Sequence, residues 1–185
     1  MKREILSIIL LLLTIFGCGT STEDNENTNE TTEVIPSDWK KLDLGEYQTH
    51  VPEEWVVEKK QKKSGFVLYA PKSSKQDKFR EKVDLTIKRL PSNIKNLESY
   101  IDFRKNKLQG LLEEQTDFKT EKHDNGVHNY QTISYSGETS GYLLRIEERV
   151  WIAGDNVHIL TFTAEEKEFN NYKKNARLVM DGVIK

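Results

Sequence analysis

The chain has 185 residues, with 28 Lys plus Arg against 30 Asp plus Glu, a single cysteine and a mean hydropathy of −0.70. These totals exclude a polytopic membrane protein, a disulfide-stapled mini-protein, a collagen-like repeat and a strongly basic nucleic-acid binder. What remains is one soluble domain of ordinary size behind two short stretches of different chemistry.

Residues 1–17 open on Lys2 and Arg3, run through apolar residues from Ile5 to Phe16 and close on Gly17. A basic start, a short apolar core and a small residue at its end form a signal peptide. The apolar run of twelve residues is too short to cross a bilayer, which takes roughly 20. The next residue is Cys18, the only cysteine of the chain, so no intramolecular disulfide can form. Apart from the bulky Phe16, Ile15-Phe16-Gly17-Cys18 resembles the lipobox of bacterial lipoproteins. That resemblance implies a diacylglyceryl group on the Cys18 thiol and cleavage in front of it. One acyl chain holds a protein marginally and two or three hold it firmly, since each buried methylene is worth about 0.8 kcal/mol. The expected location is the bacterial cell envelope, on the outer or plasma membrane and facing periplasm or exterior. The alternative is a secretory signal followed by a stray cysteine.

Residues 18–37 hold five acidic side chains and no basic ones among Thr, Asn and Ser. Too little apolar surface is present to offset the entropy of ordering the stretch, so it is expected to be a flexible spacer of about 25 Å mean span. Residues 38–185 then form the domain, with 26 basic and 24 acidic side chains.

Within the domain, apolar and polar residues alternate over 83–88, which predicts a half-buried strand, and 44–51 and 65–70 are further strand candidates. The period then lengthens. Leu97, Tyr100, Ile101, Arg104, Leu108, Leu111 and Leu112 recur at helical steps, so a helix is expected over 96–115, with Phe103 off its stripe. Four strands are expected next, over 118–124, 127–136, 142–153 and 156–164, forming an antiparallel meander. Asn125-Gly126 and Gly154-Asp155 supply its turn signals. The last of these strands is apolar on both faces, as a central strand would be. A closing helix is expected over 166–181. The fold class expected is α+β, an antiparallel sheet with helices on opposite faces.

No phosphate-binding loop, nucleophile elbow or metalloprotease helix is present in the sequence, and a lipidated Cys18 leaves no thiol for catalysis. The chain is therefore expected not to be an enzyme and to need no cofactor. His123 and His128 are the candidates for metal ligation, because a two-residue turn at Asn125-Gly126 would set them opposite each other. Two ligands without a third make a poor site, and solvated side chains are the preferred reading. Between Val56 and Lys95 stand twelve basic and four acidic residues. Such lysines serve first for solubility and to block strand pairing. The same stretch holds the candidates for contact with an anionic surface: Lys59, Lys60, Lys62, Lys63, Lys72, Lys75, Lys78 and Arg80. Nucleic acid is not expected as a partner, since the location is outside the cytoplasm and no stacking motif accompanies the charge.

The segment from Tyr47 to Trp55, an extended stretch closed by Pro52-Glu53-Glu54-Trp55, resembles the opening of PsbP-like (Mog1/PsbP) domains. The order of elements that follows is similar over nearly the whole domain. The resemblance implies an α/β/α sandwich that works by docking to other proteins rather than by catalysis; members include a photosystem II subunit, a Ran-binding transport factor and bacterial lipoproteins of unassigned role. Pro52 and Trp55 carry over as structural residues only. The partner expected is another protein of the envelope, with a small-ligand or ion-binding module as the alternative and a hydrolase third.

Overall fold

A computed structural model of the chain describes residues 35–59, 65–109, 115–124 and 129–184. Two sheets and two helices are present among them, in the order β1 (Lys40–Asp43), β2 (Gln48–Val51), β3 (Val56–Lys59), β4 (Phe66–Tyr69), β5 (Lys82–Arg89), α1 (Leu97–Gln109), β6 (Gln115–Asp124), β7 (Asn129–Thr139), β8 (Tyr142–Ala153), β9 (Asn156–Glu165) and α2 (Phe169–Ile184). β1 and β2 pair with each other, and the other strands form a seven-stranded antiparallel sheet in the order β3-β4-β5-β9-β8-β7-β6. The expected α+β architecture is present. β9 lies in the middle of the sheet, as a strand apolar on both faces must.

The cross-strand register divides each face of the sheet into an apolar half and a polar half. On one face Ile133, Tyr135, Ile146, Val150 and Ile159 of β7, β8 and β9 form the apolar half, and Tyr100, Ile101 and Leu108 of α1 pack on it. On the other face Leu68, Val83, Leu85, Leu160 and Phe162 of β4, β5 and β9 form the apolar half, covered by Phe169, Ala176, Val179, Met180 and Val183 of α2. Because side chains alternate along a strand, Ile159 and Leu160 belong to opposite cores. The two helices are thus diagonal to each other across the sheet, each over its own apolar half. Trp55, 1 % exposed in the α2-side core, fills a site whose truncation to alanine costs about 3–5 kcal/mol.

Local chemistry explains where the elements begin and end, and where they depart from the sequence pattern. The Asn96 side chain accepts from the Ser99 amide (2.8 Å), an N-cap that starts α1 at Leu97. The expected helix over 96–115 is too long: α1 is described to Gln109, and Gln115 already pairs with Gly137 in β6. Leu111 and Leu112 of the expected stripe lie outside the described residues. The 44–51 candidate is a hairpin corner plus a short strand, since Leu44 donates to the Tyr47 carbonyl (2.9 Å) and pairing resumes at Gln48. The closing helix begins at Phe169 rather than 166 because 165–168 form a turn, with Glu168 donating to the Glu165 carbonyl (2.9 Å).

The β7–β8 hairpin turns at Ser140-Gly141, both with positive φ (54° and 77°), the requirement of a type I′ turn. Gly154 (φ 57°) opens the β8–β9 turn at the signal expected there. The Asn125-Gly126 signal, by contrast, does not mark a two-residue turn. Asp124 pairs with Asn129 and His123 with Tyr130, which leaves 125–128 as the connection. The shift by two residues keeps every side chain on its face but removes the expected His123–His128 pairing.

Candidate functional site

α1 packs on β7 and β8, and the polar half of the sheet beside it, made by β5 and the end of β9, is left with a recess of about 230 Å³. Register builds its floor. One row runs Lys82, Thr163, Ile146, Tyr135; the next Asp84, Thr161, Glu148, Ile133; and Thr86 stands opposite Ile159. Polar groups therefore fall on β5 and β9 and apolar groups on β7 and β8. The boundary between them passes through Glu148.

Glu148 is 1 % exposed, a burial that a carboxylate tolerates only when its charge is met. Arg104 meets it from α1 with two bonds, Nε to Oε2 at 3.0 Å and Nη2 to Oε1 at 2.6 Å. The Tyr135 hydroxyl donates to the same Oε1 at 2.8 Å. Burial and the adjoining Glu148 charge push the Tyr135 phenol well above its ordinary value. Burial works against the Arg104 cation, but the bond to Glu148 more than offsets it and the guanidinium stays charged. This trio is a locked ion pair with a phenol attached. Its carboxylate oxygens are occupied, so Glu148 is unsuited to act as a base or nucleophile. In front of it the recess presents the Thr86, Thr161 and Thr163 hydroxyls, the Asp84 carboxylate and the Lys88 ammonium. Lys82, beside it, pairs with Asp84 at 3.4 Å.

The polar half of the opposite face, on β6, β7 and β8, is organised differently. Arg177 of α2 grips Glu147 (2.6 Å) and Arg149 grips Asp181 (2.5 Å), tying the edge of α2 to β8. His123 sits here, stacked on Tyr130 with ring centroids 4.6 Å apart and hydrogen-bonded to Thr132 (3.0 Å). His128 lies outside the described residues. Among the described residues no group of three or more His, Cys, Asp and Glu is placed to hold a metal. His158 is a sheet residue in a hydrogen bond with Tyr47 (2.8 Å) and stacked on Trp151.

The structure describes only part of the basic candidates. Cys18, Lys60, Lys62 and Lys63 lie outside the described residues, and of Lys59 only the backbone, paired with Phe66 in edge strand β3, is described. Lys72, Lys75 and Lys78 are exposed on the connection 71–80. Arg80 is turned inward, its guanidinium donating to the Ala70 carbonyl (3.2 Å) and lying over the Tyr69 ring.

Sequence reasoning passed over Arg104, Tyr135 and Glu148. Two signals were available: a cation on an otherwise apolar helical stripe, and the acid-acid-base run Glu147-Glu148-Arg149 inside a strand flanked by apolar residues. Each marks a charge that needs a buried partner.

A scan of known sequence families finds no match to the chain, and neither does a search of curated proteins. Solved structures do match. A protein of unknown function from Pseudomonas aeruginosa, PA94, superposes with a TM-score of 0.59 at 14% identity, over 80% of this chain and 96% of that one. Cyanobacterial PsbP (CyanoP) from Synechocystis superposes with a TM-score of 0.54 at 13% identity, over 81% and 94%. The fold is PsbP-like. LpqN, involved in cell envelope biogenesis of Mycobacterium tuberculosis, lies further off at a TM-score of 0.42 and 14% identity, over 80% and 78%. At such identities the PsbP-like domain shares with PA94 and CyanoP its architecture alone.

Proposed function

We propose that the PsbP-like domain is a non-enzymatic binding module of the bacterial cell envelope, held at the membrane by lipid on Cys18 and docking a protein partner on the polar half-face of β5 and β9. The observation that supports it most is the recess beside α1. Hydroxyls, a carboxylate and ammonium groups surround an ion pair that is already neutralised. Such a surface forms hydrogen bonds and orients a partner by charge, and it lacks an activated group for chemistry. Its volume of about 230 Å³ lies below the roughly 300–1,000 Å³ of small-molecule sites, which favours a protein surface over an enclosed ligand.

A photo-crosslinking side chain at Thr86 of the full-length protein, expressed in its native host, tests this. One discrete protein adduct is expected from Thr86 and none from Glu121, which is exposed on the far side of the sheet. If neither position yields an adduct and a small polar molecule co-purifies instead, the protein-docking reading fails and a ligand-binding module replaces it.

A further inference from the structure

Glu81 stands just before β5, where Ala70 donates to its backbone carbonyl (2.9 Å) and closes the neck of the connection 71–80. It is 1 % exposed. Neither of its carboxylate oxygens has a hydrogen-bond partner among the described residues. The alternation that puts Val83 in the α2-side core puts Glu81 on the same side, level with Ala164. The titratable groups facing it are Asp77 of the connection, Glu165 at the end of β9 and Tyr172 on α2. The Tyr172 hydroxyl donates to the Pro71 carbonyl (3.3 Å), so α2 and the connection close over Glu81 together. Nearby cations are engaged elsewhere: Lys72 donates to the Asp77 carbonyl (2.9 Å), Lys167 pairs with Glu165 (3.4 Å) and Arg80 is bound to the Ala70 carbonyl.

A buried carboxyl without a partner is tolerable as the neutral acid and costly as the anion. We propose that Glu81 is a proton-operated latch on the connection 71–80: neutral, it lies under the closed cover; ionised, it draws in water and the cover lifts. The exposed outer side of this cover carries Lys72, Lys75 and Lys78, so the latch sets how firmly the basic segment is held. Burial acts first to push the Glu81 carboxyl above its ordinary 4.5, with Asp77 and Glu165 acting in the same sense, while the amides of Glu81 and Glu165, short of hydrogen-bond geometry, act against it. A folded value above the unfolded one means the closed state is fully favoured below about 4.5 and loses its advantage as pH rises through the folded value.

The experiment is hydrogen exchange of the full-length protein across the acid-to-alkaline range, corrected for the intrinsic pH dependence of exchange and read on peptides covering 72–80. Opening of these residues is expected to rise by up to tenfold per pH unit from about 4.5 to the folded value of Glu81 and to level off above it, the response to one linked proton. Residues of β8 should show no such rise. Glu81→Gln should hold the segment closed at every pH. Glu165→Gln should keep the transition but move it to lower pH, because a like charge has been removed, and this variant tests the latch even where Glu81→Gln fails to fold. A flat profile in the wild type, an unchanged profile in Glu81→Gln or an unmoved transition in Glu165→Gln would each overturn the proposal.

Discussion

The guanidinium of Arg104 on α1 meets the carboxylate of Glu148 on β8 side-on, through two bonds of 3.0 and 2.6 Å. This pair joins the helix to the sheet where the apolar half of the face gives way to the polar half. Removing one partner strands a buried charge, so Arg104→Ala is expected to cost about 3–5 kcal/mol. Replacing both, as Arg104→Met with Glu148→Leu, removes the charges together and should recover most of that loss. Urea unfolding monitored by circular dichroism measures each variant, and equal losses in the single and double variants would contradict this account.

Thr49 of β2 and Gly182 of α2 approach so closely that a Cβ on Gly182 would lie 2.5 Å from Thr49 Oγ1. The Thr49 hydroxyl cannot simply turn aside, because it donates to the Val179 carbonyl at 2.7 Å. Gly182→Ala should therefore destabilise by about 1–3 kcal/mol, the range for overpacking. Adding Thr49→Ala makes room, and the thermal midpoint should rise partway back towards that of the wild type.

Burial holds His158 below its ordinary 6.5, against an opposing pull from Glu46. The folded state thus prefers the neutral ring. Its contribution is fully present above about 6.5 and is lost as pH falls through the lower folded value. The thermal midpoint of the wild type should fall from about pH 7.5 to about pH 5 by more than that of His158→Phe, which keeps a ring over Trp151 but does not titrate. Identical falls in the two proteins would remove His158 from the account.

Asn96 caps α1 through its bond to the Ser99 amide. Asn96→Ala should cost about 1 kcal/mol, whereas Asn96→Asp, which keeps the acceptor, should cost a few tenths or less. Chemical denaturation of the two variants side by side decides this.

The proposed anchor at Cys18 predicts a change of compartment rather than of stability. Cys18→Ala expressed in the native host should leave the membrane fraction for the soluble one, and the mature wild-type N-terminus should carry a diacylglyceryl mass. An unmodified N-terminus retained at the membrane would refute the anchor.

The elements themselves were legible in the sequence wherever local periodicity controls them. Val83-Asp84-Leu85-Thr86-Ile87 announced β5, and the doubly apolar run from Val157 to Phe162 announced a central strand, because burial on one face or two leaves a direct mark on composition. Short β1 and β3 left no such mark, since their patterns depend on a neighbouring strand or helix rather than on themselves. The end of α1 was missed because the helical repeat continues through Leu111 and Leu112, past Gly110. Pairing of Gln115 with Gly137 competes with that repeat, and it is a contact between residues far apart in the chain.

By itself, then, the sequence determined the α+β class, the meander and the inward and outward faces of β5, all of which follow from alternation and helical spacing. Only the tertiary structure decided which rows of side chains stand side by side. Register turned Asp84, Thr161 and Glu148 into neighbours and set His123 against Tyr130 instead of His128. A shift of two residues preserves every inward and outward assignment that a pattern can record, so no reading of alternation distinguishes these alternatives. Cross-strand partners and the packing of α1 and α2 do.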